Sequence, residues 1–326
     1  MSNEAAPDTS TANTGSSTKW IALAAMMFAV SMMFIDQTIV SIAIPTIQTE
    51  LGLSDAGVQW VINGYLLSLS AFFALGGRLS DILGHKKMVL LGVTIFAVSS
   101  ALCGATPASS AAEAWLIIFR IVQGIGAALL FPAALAIVVS VFPLKERGKA
   151  LALFFGITGG LTAIGPILGG YLSEWTWRAI FWVNVPVAII AIILTLIAKI
   201  HTKHKKEPLD YKGAVLIALG MGFSVLGLQQ ASSWGWGSWK TIGSIVLGLA
   251  LLVIFVKVET KVKIPLIKVE IFKDRAFFVD NAVLFFAMMA FVPVFFFGSV
   301  YSQAVLDYNA SNAGLYLLVF FAGFAP

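Results

Sequence analysis

Three ionisable side chains interrupt otherwise apolar stretches of this chain: Asp36 in MMFIDQTIV, Arg120 in LIIFRIVQG and Asp280 in FFVDNAVLFF. A charge isolated in hydrocarbon costs several kcal/mol, so each needs a partner or a hydrated position. An aspartate and an arginine that share one interior can satisfy each other. Such an aspartate can also take or release a proton as its partner moves, which makes the pair a candidate proton switch. The bland alternative is a permanent lock between helices. Asp280 lies near the start of its stretch and reads as hydrated, or as a carboxylate favoured by a helix N-terminus.

Spacing places the two deeper charges. Asp36 follows Trp20 by 16 residues, which is about 24 Å along a helix, while Arg120 is about 9 Å inside the opposite boundary of its own stretch. Gln123, Gly124 and Ala127 follow Arg120 at i+3, i+4 and i+7 and so share its helix face. Small residues there leave room beside the guanidinium.

The elements that must position these groups are apolar stretches of spanning length. Of the 326 residues, 59% are hydrophobic and 11% charged, against roughly 25% charged in soluble domains. Nine stretches approach or exceed the ~20 residues that cross a bilayer: Trp20–Pro45, Val58–Ser80, Met88–Thr106, Ala114–Phe142, Ala150–Leu172, Ile180–Ile200, Ala214–Ser232, Ile242–Val258 and Phe277–Gln303. Ala313–Pro326 would begin a tenth, so the chain is expected to stop inside a helix. Residues 1–19, rich in Ser, Thr, Ala and Asn, read as a disordered tail. The first apolar run lacks the short h-region and cleavage pattern of a signal peptide.

Of the 21 basic residues, 18 fall in the tail, at span ends or in alternate loops, among them Lys19, Lys86, Lys87, Arg147 and the runs within 199–212 and 257–275. That bias places the N-terminus and the basic loops in the cytoplasm. It also accounts for the net charge of +5 without a nucleic-acid partner. Trp234, Trp236 and Trp239 fit an interfacial aromatic belt. His85, His201 and His204 lack companions for a metal site. Gly124-Ile-Gly126 lacks the third glycine and the strand of a dinucleotide fingerprint. The sequon Asn309-Ala-Ser311 is too common a pattern to use alone, and the single Cys103 leaves the redox compartment open.

Four motifs together resemble the major facilitator superfamily and, within it, the fourteen-span drug:proton antiporters. FIDQTIVSIAIP is similar to the first-helix motif, with its acid at Asp36. GRLSDILGHKK matches the loop between spans two and three at Gly77, Asp81, Gly84, Lys86 and Lys87, and departs from it at Ile82 and His85. RIVQGIGAA resembles the fourth-span motif, whose arginine, here Arg120, is associated with proton coupling. AIGPILGGYLSEWTWRAIFWVNVP resembles the antiporter motif of span five and the junction into span six, with Leu161 where glycine is common. YSQAVLDYNASNAGLYLLVFFAGFAP, just after span nine, also resembles the group.

The resemblance implies an all-α, polytopic membrane protein of the major facilitator fold, working by alternating access. Residues 20–200 would form an N-terminal six-helix bundle, 201–213 a basic cytoplasmic loop, 214–258 two linker helices, 259–276 a second loop, and 277–326 the first part of a C-terminal bundle that needs further residues. It implies no enzyme activity and no cofactor beyond a proton gradient. The partners would be protons, the lipid bilayer and a hydrophobic or cationic small molecule exported across the plasma membrane. Asp36, Arg120 and Gln123 would carry coupling and substrate contact. Asp81 would meet a base such as Arg147 as a conformational lock, and Gly124, Gly165, Pro166, Gly169 and Gly170 would allow bending and close packing. Export of a metabolite, siderophore or self-made antibiotic remains open, as does a channel or receptor.

Overall fold

The computed structural model describes residues 16–162, 164–198, 200 and 208–306. The apolar stretches fold as helices: α1 (Ser16–Leu51), α2 (Asp55–Leu83), α3 (His85–Gly104), α4 (Ala112–Val141), α5 (Leu144–Thr162), α6 (Ile164–Trp175), α7 (Ala179–Trp182), α8 (Asn184–Ile197), α9 (Tyr211–Gln229), α10 (Ala231–Trp234), α11 (Trp239–Glu259) and α12 (Arg275–Ala304). Among the described residues seven helices are long and apolar enough to cross a membrane, or eight if the bent pair formed by α5 and α6 is one span. The chain is a multi-pass membrane protein. Its ninth apolar stretch folds as α12, whereas the expected tenth span and the sequon at Asn309 lie outside the described residues, as do His201, His204 and most of the tail.

Two expectations change. Residues 16–19, read as tail, already belong to α1, because the apolar run behind them lets the helix propagate backwards through Ser16, Ser17 and Thr18. Ala150–Leu172, read as one span, is broken: the axis turns by 44° between Leu144–Thr162 and Ile167–Trp175. Pro166 lies in that break and has no backbone N–H to donate.

The core sits between α1 and α4. One buried cluster joins Met26, Val30 and Met33 of α1 to Phe96 of α3, Leu130 and Ile137 of α4 and Ala188 and Ala191 of α8. A second joins Ile39, Ala43 and Ile47 of α1 to Cys103, Leu116, Trp177 and Phe181 at the other end of the bundle. α4 lies closely against both α2 and α3, and α1 touches α4, α5, α6 and α8. α9 pairs with α11 and rests on α2. Outward-facing Ile190, Ile193, Leu219, Val246, Leu249 and Val253 are exposed, as a lipid-facing surface requires.

Both ends of the bundle carry polar ties. Lys19 reaches Glu146 of α5 at 2.5 Å. At the other end Trp177 donates to Glu50 at 2.6 Å, and Arg178 donates to the carbonyls of Gly104 and Thr106, where α3 ends. A cation at those carbonyls also opposes the negative end of the helix dipole. Trp236 and Trp239 are exposed near the same end of α9 and α11.

Candidate functional site

The two deep charges meet. Arg120 of α4 donates from Nη1 to Asp36 Oδ2 of α1 at 2.5 Å, with the two side chains 2% and 0% exposed. The same Nη1 donates to Gln123 Oε1 at 2.9 Å, and Gln123 Nε2 donates to Asp36 Oδ1 at 2.9 Å. The i+3 spacing of Arg120 and Gln123 therefore closes a triangle on one carboxylate. Asp280, by contrast, is exposed on α12.

Neighbouring helices complete the cage. Arg120 Nε donates to the Val61 carbonyl of α2 at 3.0 Å, and its guanidinium lies over the Tyr65 ring, 4.4 Å from the centroid. The Tyr65 hydroxyl is buried beside Gln37 of α1. Asn184, the first residue of α8, donates one amide hydrogen to Asp36 Oδ1 at 3.3 Å and the other to Ser100 Oγ of α3 at 2.9 Å. Ser100 donates in turn to the Phe181 carbonyl at 2.8 Å. Asp36 thus accepts from three donors on α4 and α8, an arrangement that suits a carboxylate.

Sequence reasoning missed Asn184, Ser100 and Tyr65. Asn184 was detectable as the single amide in AIFWVNVPVAII. Asn184→Leu keeps the branched heavy-atom skeleton with somewhat more bulk and removes both donors. It is expected to destabilise the chain by about 1.5–3 kcal/mol, the range for hydrogen bonds to charged groups, read as an earlier thermal unfolding transition in detergent. An unchanged transition would remove Asn184 from the cluster.

The loop motif lies apart from this site. Gly84 ends α2 at φ +98°, a conformation that only glycine adopts readily, and α3 begins at the next residue. Ser80 Oγ and His85 Nδ1 lie 2.5 Å apart across the turn, so the histidine that departs from the family pattern ties the loop to α2. Gly77 faces Pro132 of α4, where a Cβ would make ordinary contact at 3.7 Å. Lys87 and Asp81 are exposed and Lys86 is half-buried. The structure does not bring Asp81 to Arg147, which instead donates to the Phe142 carbonyl at 3.2 Å.

The glycines divide by what they face. A Cβ on Gly124 would strike the Tyr65 carbonyl and Ser68 Oγ of α2, and one on Gly165 would strike Thr38 Oγ1 of α1. On Gly169 it would press Ile39 at 3.1 Å. Gly170 meets nothing within 4 Å, so packing against α1 is the work of its neighbour.

Comparisons agree with this architecture. Residues 26–326 match the model of the Major Facilitator Superfamily. The chain is 34% identical over 302 residues to the tetracenomycin C resistance and export protein of Streptomyces glaucescens, covering 92% of this chain and 55% of that one. It is 37% identical over 305 residues to the uncharacterized MFS-type transporter EfpA of Mycobacterium tuberculosis, covering 92% and 56%. With multidrug resistance protein 3 of Bacillus subtilis it shares 31% over 313 residues, covering 95% and 60%. The chain spans about half the length of the curated relatives it matches. Among solved structures, the proton:xylose symporter XylE superposes with a TM-score of 0.57 at 13% identity over 94% of this chain and 68% of that one, a likeness of fold alone. Helices that pack as a bundle around a buried acid and base, and a family model matched over nearly the whole sequence, lead to one conclusion: the chain belongs to the major facilitator superfamily.

Proposed function

We propose that this chain supplies the N-terminal bundle, two linker helices and the start of the C-terminal bundle of a proton-coupled exporter of hydrophobic or cationic compounds, with its N-terminus on the cytoplasmic side of the plasma membrane. The buried triangle of Asp36, Arg120 and Gln123 carries this reading. The names of relatives that export or resist antibiotics support it. Asp36 takes the proton, Arg120 senses its charge and Gln123 holds the two in register. When Asp36 is neutralised, Arg120 keeps Gln123, the Val61 carbonyl and the Tyr65 ring but loses its counterion, and α1 is released from α4. Coupling requires that proton and substrate favour different orientations, because equal affinity for both shifts nothing. Export of a compound made by the same cell is a second reading, favoured by the tetracenomycin and cephamycin relatives.

The test is uptake of a cationic dye into inverted vesicles carrying the complete transporter. Asp36→Asn is expected to abolish the part of uptake that depends on the pH gradient. Undiminished gradient-driven uptake would remove Asp36 from the coupling step.

A further inference from the structure

The break between α5 and α6 leaves a specific backbone group without its helical partner. In a continuous helix the carbonyl of Thr162 would accept from the N–H of residue 166. Residue 166 is proline, which has none. An open carbonyl in a membrane interior is costly and is closed by a neighbouring side chain where the fold permits. Thr38 of α1 does this: its Oγ1 lies 3.1 Å from the Thr162 carbonyl. Gly165 makes the approach possible, because a Cβ at that position would occupy the space of Thr38 Oγ1. Proline removes the donor, glycine clears the path, and threonine of another helix supplies the replacement.

The hydroxyl has one hydrogen and two acceptors. Thr38 Oγ1 also lies 3.1 Å from the Ile35 carbonyl of its own helix, the ordinary resting place of a helical threonine. Rotation of the hydroxyl about its Cβ–Oγ1 bond moves the hydrogen between the two carbonyls, so the link to Thr162 can open without stranding the donor. Thr38 follows Asp36 by two residues, which on a helix is about 200° around the axis. Asp36 faces α4 and α8 while Thr38 faces the break.

We propose that Thr38 is a positioning residue whose hydroxyl closes the Thr162 carbonyl and so lets α1 set the bend between α5 and α6. This rests on backbone chemistry and is independent of whether Asp36 carries a proton.

Carbonyl spectroscopy tests it on the full chain in lipid nanodiscs. Threonine labelled with ¹³C at the carbonyl and alanine labelled with ¹⁵N give a cross-peak only at Thr–Ala bonds, which occur at 11–12 and 162–163. Thr38→Val, which has the same shape without the hydroxyl, is expected to move the Thr162 carbonyl resonance upfield; Thr38→Ser is expected to restore it. Spin labels at Phe155→Cys and Tyr171→Cys, both exposed positions, should give one narrow distance in the parent and a broadened distribution in Thr38→Val. Adding Pro166→Ala returns an N–H to the helix and is expected to abolish the sensitivity of both readouts to Thr38→Val. A Thr162 resonance unmoved by Thr38→Val, or a Pro166→Ala background in which Thr38→Val still shifts it, would overturn the proposal.

Discussion

Asp36→Leu is expected to destabilise the chain by about 3–5 kcal/mol, the cost of removing one partner from a buried ion pair, with loss of proton-driven transport. The size follows from what is left behind. Arg120 is 2% exposed and would keep its charge with no counterion, while Gln123 Nε2 and Asn184 Nδ2 would each lose the acceptor they now share. The double variant Asp36→Leu/Arg120→Met replaces the pair with apolar groups, and such replacements are often neutral or better for stability. It is expected to unfold close to the parent temperature while remaining unable to couple transport to protons. Thermal unfolding in detergent separates the two effects. A double variant no more stable than Asp36→Leu would mean that the cost lies in packing around α1 and not in a stranded charge.

The pairing was legible because hydrocarbon leaves so few options. With one acid and one base deep in the first four spans, each is the other's cheapest counterion, and burial forces the choice. The spans were legible for the same reason, since roughly 20 apolar residues have few other destinies. Asn184 was less visible. An amide before Val-Pro reads as a turn or cap, and only the packing of α8 on α1 and α3 turns it towards Asp36. Thr38 was hidden by the habits of its residue type, because a helical threonine normally bonds its own backbone. The motif on 77–87 predicted a tight reversal, and Gly84 makes it. The pairing of Asp81 with Arg147 came from resemblance to a family that alternates between conformations, and one conformation holds only one set of ion pairs. Gly170 was grouped with Gly169 because a sequence cannot say which of two adjacent glycines faces the neighbouring helix.

That last distinction has a measurable consequence when Gly170 is set against Gly124. A Cβ at Gly124 would collide with the Tyr65 carbonyl, which is backbone of α2 and cannot rotate away. Gly124→Ala must therefore separate α4 from α2. Overpacking of this kind costs about 1–3 kcal/mol. The damage extends to the site, because α2 supplies the Val61 carbonyl and the Tyr65 ring that hold Arg120. The variant is expected to unfold at a lower temperature and to transport poorly. Gly170→Ala meets nothing within 4 Å and exchanges a poor helix former for a good one, a change worth up to about 1 kcal/mol in favour of the helix. It is expected to match or exceed the parent in thermal stability. Equal losses from both substitutions would mean that these glycines are needed for flexibility, whereas a loss confined to Gly124→Ala assigns the requirement to the contact between α2 and α4.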